Sequence, residues 1–419
     1  MTKILVQGGN RLAGKIAISG AKNAALPLMA AALLTDQKLT LTNMPGLDDV
    51  QTMSNLLKGL GVAVERGEDE ITFDAGNLSS TEAPEELVRI MRASVLVLGP
   101  LVAREGNARV ALPGGCAIGA RPVDLHLNAL EQMGAKISIR DGFVEVSAPS
   151  GLSGAFITFP KVSVGATENL LMAASLAKGE TVLNNAAQEP EITDLAHCLQ
   201  AMGAKISGIG TRQLTIQGVP KLGSAVHPVV ADRIEAGTFA VAAAMTKGDL
   251  LLENARAEHL TAPIDILRRA GAEVIEQTNS IRVKCDLEKT DSVSFTTEPF
   301  PAFPTDLQAQ FMAMMAISSG TSIIKETVFE NRFMHVPELT RMGAGITIDD
   351  RTAIVRGVEH LKGAHVMATD LRASVAMVLA GLVAEGQTEV GNIFHLDRGY
   401  DRVEAKLSAV GASIQRVED

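Results

Sequence analysis

One pattern of apolar and polar positions recurs six times along the chain. A leucine-containing amphipathic stretch runs into Gly-Ala or a near variant, and a β-branched alternating segment follows. The copies are LLKGLGVAV, ALEQMGAKISI, CLQAMGAKISG, ILRRAGAEVIE, ELTRMGAGITI and KLSAVGASIQR. Their marker glycines, Gly61, Gly134, Gly203, Gly271, Gly343 and Gly411, lie 68 to 73 residues apart. Self-similarity at a fixed period marks a repeat architecture. A glycine at the end of an amphipathic helix fits a left-handed C-cap. Each copy also holds a second stretch, apolar nearly all round: NAALPLMAAALL, RASVLVLGPLVA, ATENLLMAASLA, EAGTFAVAAAM, LQAQFMAMMAI and RASVAMVLAGLVA. A helix without a polar face is buried on every side. The pattern therefore predicts an α/β fold of six pseudo-repeats, each a βαβ-type module of roughly 70 residues with an apolar helix inside and an amphipathic one outside.

The sixth copy stops after GASIQRV, where the others continue with two more strands, and the N-terminus carries two orphan strands, KILVQG and GKIAIS. The simplest closure lets both N-terminal strands complete the sixth unit. Three repeats per domain then gives one domain of residues 22–230 and a discontinuous one of residues 1–21 plus 231–419. The chain crosses twice between them, which favours hinge-like closure.

Composition narrows the class. Trp is absent and Tyr occurs once, so the cores are built from aliphatic residues, Met and Gly. No apolar run is long enough for a membrane helix, and MTKILVQGGN lacks the apolar stretch of a signal peptide. Cys116, Cys198 and Cys285 form neither a disulfide framework nor a zinc pattern, as expected of a reduced cytoplasmic protein. The net charge of −10 argues against nucleic-acid binding but not against an anionic small molecule.

Polar residues cluster just before each apolar helix, in SGAKN, RIMRAS, KVSVGATEN, ADRIEAGT, FPTDLQ and ATDLRAS. Helix N-termini attract anions and disfavour cations, so a cation there makes most sense facing a bound anion. The candidates are Lys22, Arg92, Lys161, Arg233, Asp306, Asp370 and Arg372. Asp232, Asp306 and Asp370 read equally well as helix caps. One loop stands apart: LPGGCAIGARPVDLH sets Cys116 among glycines and near Arg121. That is a route to a lowered thiol pKa, with a small loop residue as the plainer alternative. Cys198 and Cys285 read as structural. The histidines form no metal constellation, and no nucleotide-hydrolysis or dinucleotide motif occurs.

These segments, with GGNRLAGKIAISGAKNAALP, EPEITD, FPAFPTDLQAQF, ENRFMHVPEL and HLDRGYDRVEAKLSAVGA, resemble the UDP-N-acetylglucosamine 1-carboxyvinyltransferase family of enolpyruvyl transferases. The resemblance runs the length of the chain. It implies an inside-out α/β barrel of two domains with three units each. It also implies addition of a sugar 3′-hydroxyl to phosphoenolpyruvate, then loss of phosphate from a tetrahedral ketal, as the first committed step of peptidoglycan synthesis. In this reading Cys116 is the mobile acid and the target of fosfomycin, Asp306 is the base, and Asp370 is a second proton-transfer carboxylate. Lys22, Arg121 and Arg398 surround phosphoenolpyruvate and its phosphate, with Arg92 and Arg372 close by, and Asn23 contacts hydroxyl or phosphate. Arg121, Pro122, Val123, Asp124 and Leu125, with Lys161, Val162, Ser163 and Val164, grip the UDP-sugar, and Val328 adds a backbone contact. No metal or organic cofactor is implied; the partners are phosphoenolpyruvate and UDP-N-acetylglucosamine, with no nucleic acid and no membrane, and the family suggests a monomer.

Two other readings compete. A 5-enolpyruvylshikimate-3-phosphate synthase shares the fold and donor but has a serine-rich lysine segment in place of SGAKN and lacks the cysteine loop. A non-enzymatic anion-binding repeat scaffold would leave the thiol loop and the helix-start cations unexplained. If Lys22 serves only an anion, replacing it should cost activity while hardly changing stability.

Overall fold

In the computed structural model, which describes residues 2–112 and 123–418, all six marker glycines lie at left-handed φ, between +93° and +108°. Each closes its helix in the same way. The glycine N–H donates to the carbonyl three residues back and the next N–H to the carbonyl five back from itself. The pairs run from Gly61 to Lys58 and Val62 to Leu57 through Gly411 to Ser408 and Ala412 to Leu407. This double bond satisfies two carbonyls that a helix end otherwise leaves unpaired, and glycine alone enters the required backbone region without strain. The repeat in the sequence is thus a repeat of one stop signal.

The described chain forms two compact units. One contains residues 2–19 and 231–418, the other residues 20–112 and 123–230. Each has its own hydrophobic core. The apolar helices lie inside. All residues of Arg233–Met245 and Gln308–Met315 are buried, as are Ala24 to Ala31 of Lys22–Ala31 and all but the first two of Val164–Ser175. The amphipathic helices, such as Asp48–Gly59, bury one face only. No helix among the described residues is long and apolar enough to cross a membrane.

Among the described residues six sheets carry the strands, three in each unit. In each four-stranded sheet a parallel pair joins antiparallel strands, as in Phe156–Thr158 beside Glu180–Asn184, and all but the sheet holding Lys3–Gln7 close with a hairpin. The three-stranded sheet of Asn107–Ala111, Phe143–Ser147 and Lys136–Arg140 replaces the parallel strand with a single bridge between Glu82 and Arg109.

The N-terminal strands part company. Lys3–Gln7 enters the sixth sheet between Gln387–Gly391 and Ser413–Val417. Ala13–Ala17 does not follow it. It pairs in parallel with Asp249–Glu253 in the fourth sheet, while Ala225–Pro228 pairs with Lys38–Thr42 in the first. The expectation that both strands complete the sixth unit is corrected accordingly. The fourth buried helix, Arg233–Met245, follows Ala225–Pro228 in sequence, but that strand stays with residues 20–230 and Ala13–Ala17 takes its place. Local bonds hold both exchanged segments: Asp232 N donates to Ser19 O at 2.8 Å, and Ala21 N to Val230 O at 2.7 Å.

Candidate active site

Among residues 20–230, the helix starts carry the cations. Lys22 opens its helix, whose N-cap residue Ala21 offers no side-chain bond. Its ammonium lies 2.6 Å from Asp49, and both side chains are largely buried. Asp49 stands in the first turn of the next helix, where the dipole favours a carboxylate. Asn23 follows Lys22 and is half-buried. Arg92 opens the short turn Arg92–Val97, which runs directly into Leu98–Glu105. Val123 and Leu125 are buried at the start of Asp124–Gln132, and Asp124 is exposed there. Ser163 caps Val164–Ser175 by accepting from Ala166 N at 3.3 Å. Lys161 is exposed, and Val162 and Val164 are half-buried.

Residues 231–418 place acids at the corresponding positions. Asp232 caps Arg233–Met245 through Ile234 N and Glu235 N, and buried Arg233 follows it. Asp370 caps Leu371–Val383 through Arg372 N and Ala373 N, both landing on Oδ1. Asp306 differs. It sits in the turn Thr305–Leu307, which has no side-chain cap, and its carboxylate lies between two guanidiniums. Arg332 Nη2 donates to Oδ1 at 2.8 Å and Arg372 Nη2 to Oδ2 at 3.1 Å. Both arginines are nearly inaccessible, while Asp306 keeps about a quarter of its side chain exposed. Burial opposes the charge on Arg372, but Asp306 and Tyr400 outweigh it and raise its pKa. Gln310 donates to the Asp306 carbonyl, to Thr238 Oγ1 and to the Tyr400 hydroxyl. Arg398 ends the short helix Phe394–Asp397; burial and this guanidinium together lower the His395 pKa. Val328 donates its N–H to Glu326 at 2.8 Å, so a backbone contact to a ligand would use its carbonyl.

A model of the family described as EPSP synthase (3-phosphoshikimate 1-carboxyvinyltransferase) matches residues 6–407. The chain belongs to the EPSP synthase family. Within it, the protein is 58% identical to the UDP-N-acetylglucosamine 1-carboxyvinyltransferase of Granulibacter bethesdensis, over the whole of both chains. It is 56% identical to that of Zymomonas mobilis, again over both full lengths. The enolpyruvyl transferase NikO from Streptomyces tendae superposes with a TM-score of 0.87 at 25% identity, covering 99% of each chain. An EPSP synthase from Acinetobacter baumannii shares the fold at a TM-score of 0.77 and 18% identity, over the whole of both chains.

For this EPSP-family member, Cys116, Arg121 and Pro122 lie outside the described residues. The structure brings Asp306 and Arg372 together and adds Arg332 and Tyr400, which sequence reasoning missed. It likewise adds Asp49 beside Lys22. A further omission is Glu168, fully buried in the Val164–Ser175 helix. Burial, Glu191 and Glu189 push its carboxyl well above the usual range. The signal was present: an acid within an otherwise apolar helix is costly unless neutral or paired. Of the other thiols, Cys285 is buried, and Cys198 is pushed up to about 12 by burial and Asp194. Cys198 is therefore a poor nucleophile at neutral pH.

Proposed function

We propose that this enzyme transfers the enolpyruvyl group of phosphoenolpyruvate to the 3′-hydroxyl of UDP-N-acetylglucosamine and releases phosphate. The observation that carries this reading is 58% identity, end to end, with a relative named for that reaction. The reading places the protein in the cytoplasm as a monomer, at the first committed step of peptidoglycan synthesis.

The chemistry divides among the chain's residues. Asp306 accepts the proton of the 3′-hydroxyl. Its two guanidinium partners orient the carboxylate and favour its ionised form, so it first acts as a hydrogen-bond acceptor. Transfer becomes favourable as the hydroxyl oxygen bonds to the central carbon of phosphoenolpyruvate and grows more acidic. Cys116 delivers a proton to the methylene carbon, giving the methyl group of the tetrahedral ketal. Elimination then removes a proton from that methyl, breaks the bond to phosphate and restores the double bond. Asp370, capping its helix as a carboxylate, assists the proton transfers. Lys22, Arg121 and Arg398 hold the phosphate and carboxylate, with Arg92 and Arg372 nearby and Asn23 bonding to hydroxyl or phosphate. Arg121 to Leu125, Lys161 to Val164 and Val328 hold the UDP-sugar.

Phosphate release from phosphoenolpyruvate tests the reading in three parallel reactions, with UDP-N-acetylglucosamine, with shikimate 3-phosphate and with no acceptor. Release with the UDP-sugar alone is expected. Release with shikimate 3-phosphate alone would transfer the chain to the sister activity, and none in any reaction would favour a binding scaffold.

A further inference from the structure

Asn169 is fully buried in the Val164–Ser175 helix, and its side-chain amide touches three other elements. Oδ1 accepts from Gly99 N at 2.6 Å, and Nδ2 donates to Val95 O at 3.0 Å. Nδ2 also lies 3.0 Å from His126 Nδ1. A backbone N–H can only donate and a carbonyl can only accept, so these two backbone partners fix which way the amide points. Its NH2 group must therefore face the imidazole. His126 Nδ1 must accept, which puts the ring proton on Nε2 and leaves the ring neutral. The surroundings agree: burial first, then Arg92, lower the His126 pKa to about 4, against a smaller opposing effect of Asp124.

The packing around the amide is tight on the Gly99 side. A Cβ at Gly99 would come within 2.1 Å of Asn169 Oδ1 and 2.5 Å of Asn169 O, so only glycine allows this approach. On its other side the His126 ring faces Gly165, where a Cβ would lie 3.5 Å from Cε1 and 3.6 Å from Nε2.

Three helix starts meet through this one amide. Val95 and Gly99 belong to the segment opened by Arg92, His126 to the helix opened by Asp124, and Asn169 to the helix capped by Ser163. We infer that Asn169 and His126 are positioning residues that set the two UDP-sugar-binding helix starts, at Asp124 and Ser163, in register against the segment opened by Arg92, and that this requires His126 as its neutral Nε2–H tautomer. The inference rests on the function proposed above.

The test uses the full chain. Long-range 15N spectra of the parent should include a histidine with a bare Nδ1 and a protonated Nε2 whose signal is lost in His126→Asn, which assigns it to His126. Asn169→Asp puts an acceptor where Nδ1 needs a donor. It should move the proton to Nδ1 or charge the ring, raise KM for UDP-N-acetylglucosamine at least tenfold, and leave kcat and the KM for phosphoenolpyruvate within about threefold. His126→Asn keeps an acceptor near the Nδ1 position and should hold the UDP-sugar KM near the parent's, whereas His126→Leu should raise it. If Asn169→Asp does not fold, the parent spectrum and the His126 pair decide. A protonated Nδ1 in the active parent, a parental UDP-sugar KM in Asn169→Asp, equal rises in both KM values, or His126→Asn no better than His126→Leu would each overturn the inference. A parent inactive toward UDP-N-acetylglucosamine would instead sink the functional reading, whatever the tautomer.

Discussion

At the starts of their buried helices, residues 231–418 place carboxylates, Asp232 and Asp370, each accepting two backbone N–H bonds. Residues 20–230 place Lys22 and Arg92 at such starts and cap the third with Ser163. The two units repeat one module and end its outer helices with one device, so this contrast does not come from the fold. In the first case the helix dipole meets an anion supplied by the protein. In the second it meets a cation, which is unfavourable unless another anion stands close. Asp49 provides part of that compensation for Lys22. The comparison teaches that helix starts in this fold are interchangeable sockets. What fills them separates a self-capped helix from one prepared for an anionic ligand.

The sharpest way to break this comparison is at Asp306, the helix-start acid that does not cap. Asp306→Ala should lower kcat/KM by roughly 10²–10⁴-fold, the range for loss of a general base. It should also cost on the order of 2–4 kcal/mol of stability, because Arg332 and Arg372 are left buried without their shared carboxylate. Initial rates and urea midpoints on one preparation check both; parental activity would return Asp306 to a purely structural place.

Lys22 comes next. Its largely buried pair with Asp49 argues against the expectation that stability would hardly change on its removal. Lys22→Ala should cost about 1–3 kcal/mol as well as activity, since a largely buried ion pair is broken, and Asp49→Ala in the same chain should restore part of the stability but not the activity. Additive losses measured through the double-variant cycle would show the pair to be incidental.

A smaller effect compares the buried histidines, His126 in one unit and His335 in the other. Burial is the leading cause of the lowered pKa in both, to about 4 from 6.5. Between those values the unfolded chain binds more protons, so this stability is complete above about pH 6.5 and lost as pH falls toward 4. Glu235, raised to about 7 mainly by burial, works in the opposite sense: its contribution is full below 4.5 and lost as pH rises through 7. Replacing either histidine by Asn should flatten the fall in stability between pH 7.5 and 5 by about 1–2 kcal/mol. Urea midpoints that fall equally in parent and variants would remove the histidines from the account.

The smallest effect concerns the stop signals. At Gly203 an added Cβ meets nothing within 4 Å, whereas at Gly271 it would come 2.4 Å from Leu287 Cδ1. Gly203→Ala should cost about 1 kcal/mol, the backbone penalty alone, and Gly271→Ala somewhat more unless the exposed Leu287 side chain swings aside. Thermal melts of the two variants measure the difference directly.

The marker glycines were legible because a helix stop is local: six residues contain both the signal and its bonds. The buried helices were legible for a related reason, since an apolar surface all round leaves no exposed alternative. Ala13–Ala17 was misassigned because a strand pattern does not name its neighbour, and Ala225–Pro228 is likewise short with a single buried residue. Asp306 looked like a cap because it stands where caps stand; its partners Arg332 and Arg372 come from 26 and 66 residues downstream. Asp49 and the amide of Asn169 were missed on the same ground, as their meaning lies in side chains brought near only by packing.

The strand exchange also sets an order of birth. Residues 20–230 acquire the last strand of their sheets when Ala225–Pro228 is made. Ala13–Ala17 must wait for Asp249–Glu253, and Lys3–Gln7 for Gln387–Gly391. At roughly 5–20 residues per second, the wait of Lys3–Gln7 for the first of its two partners is about 20–80 s of synthesis. For that interval Lys3–Gln7 is an alternating strand with no neighbour in its sheet. The middle of the chain matures first, and its two ends mature together.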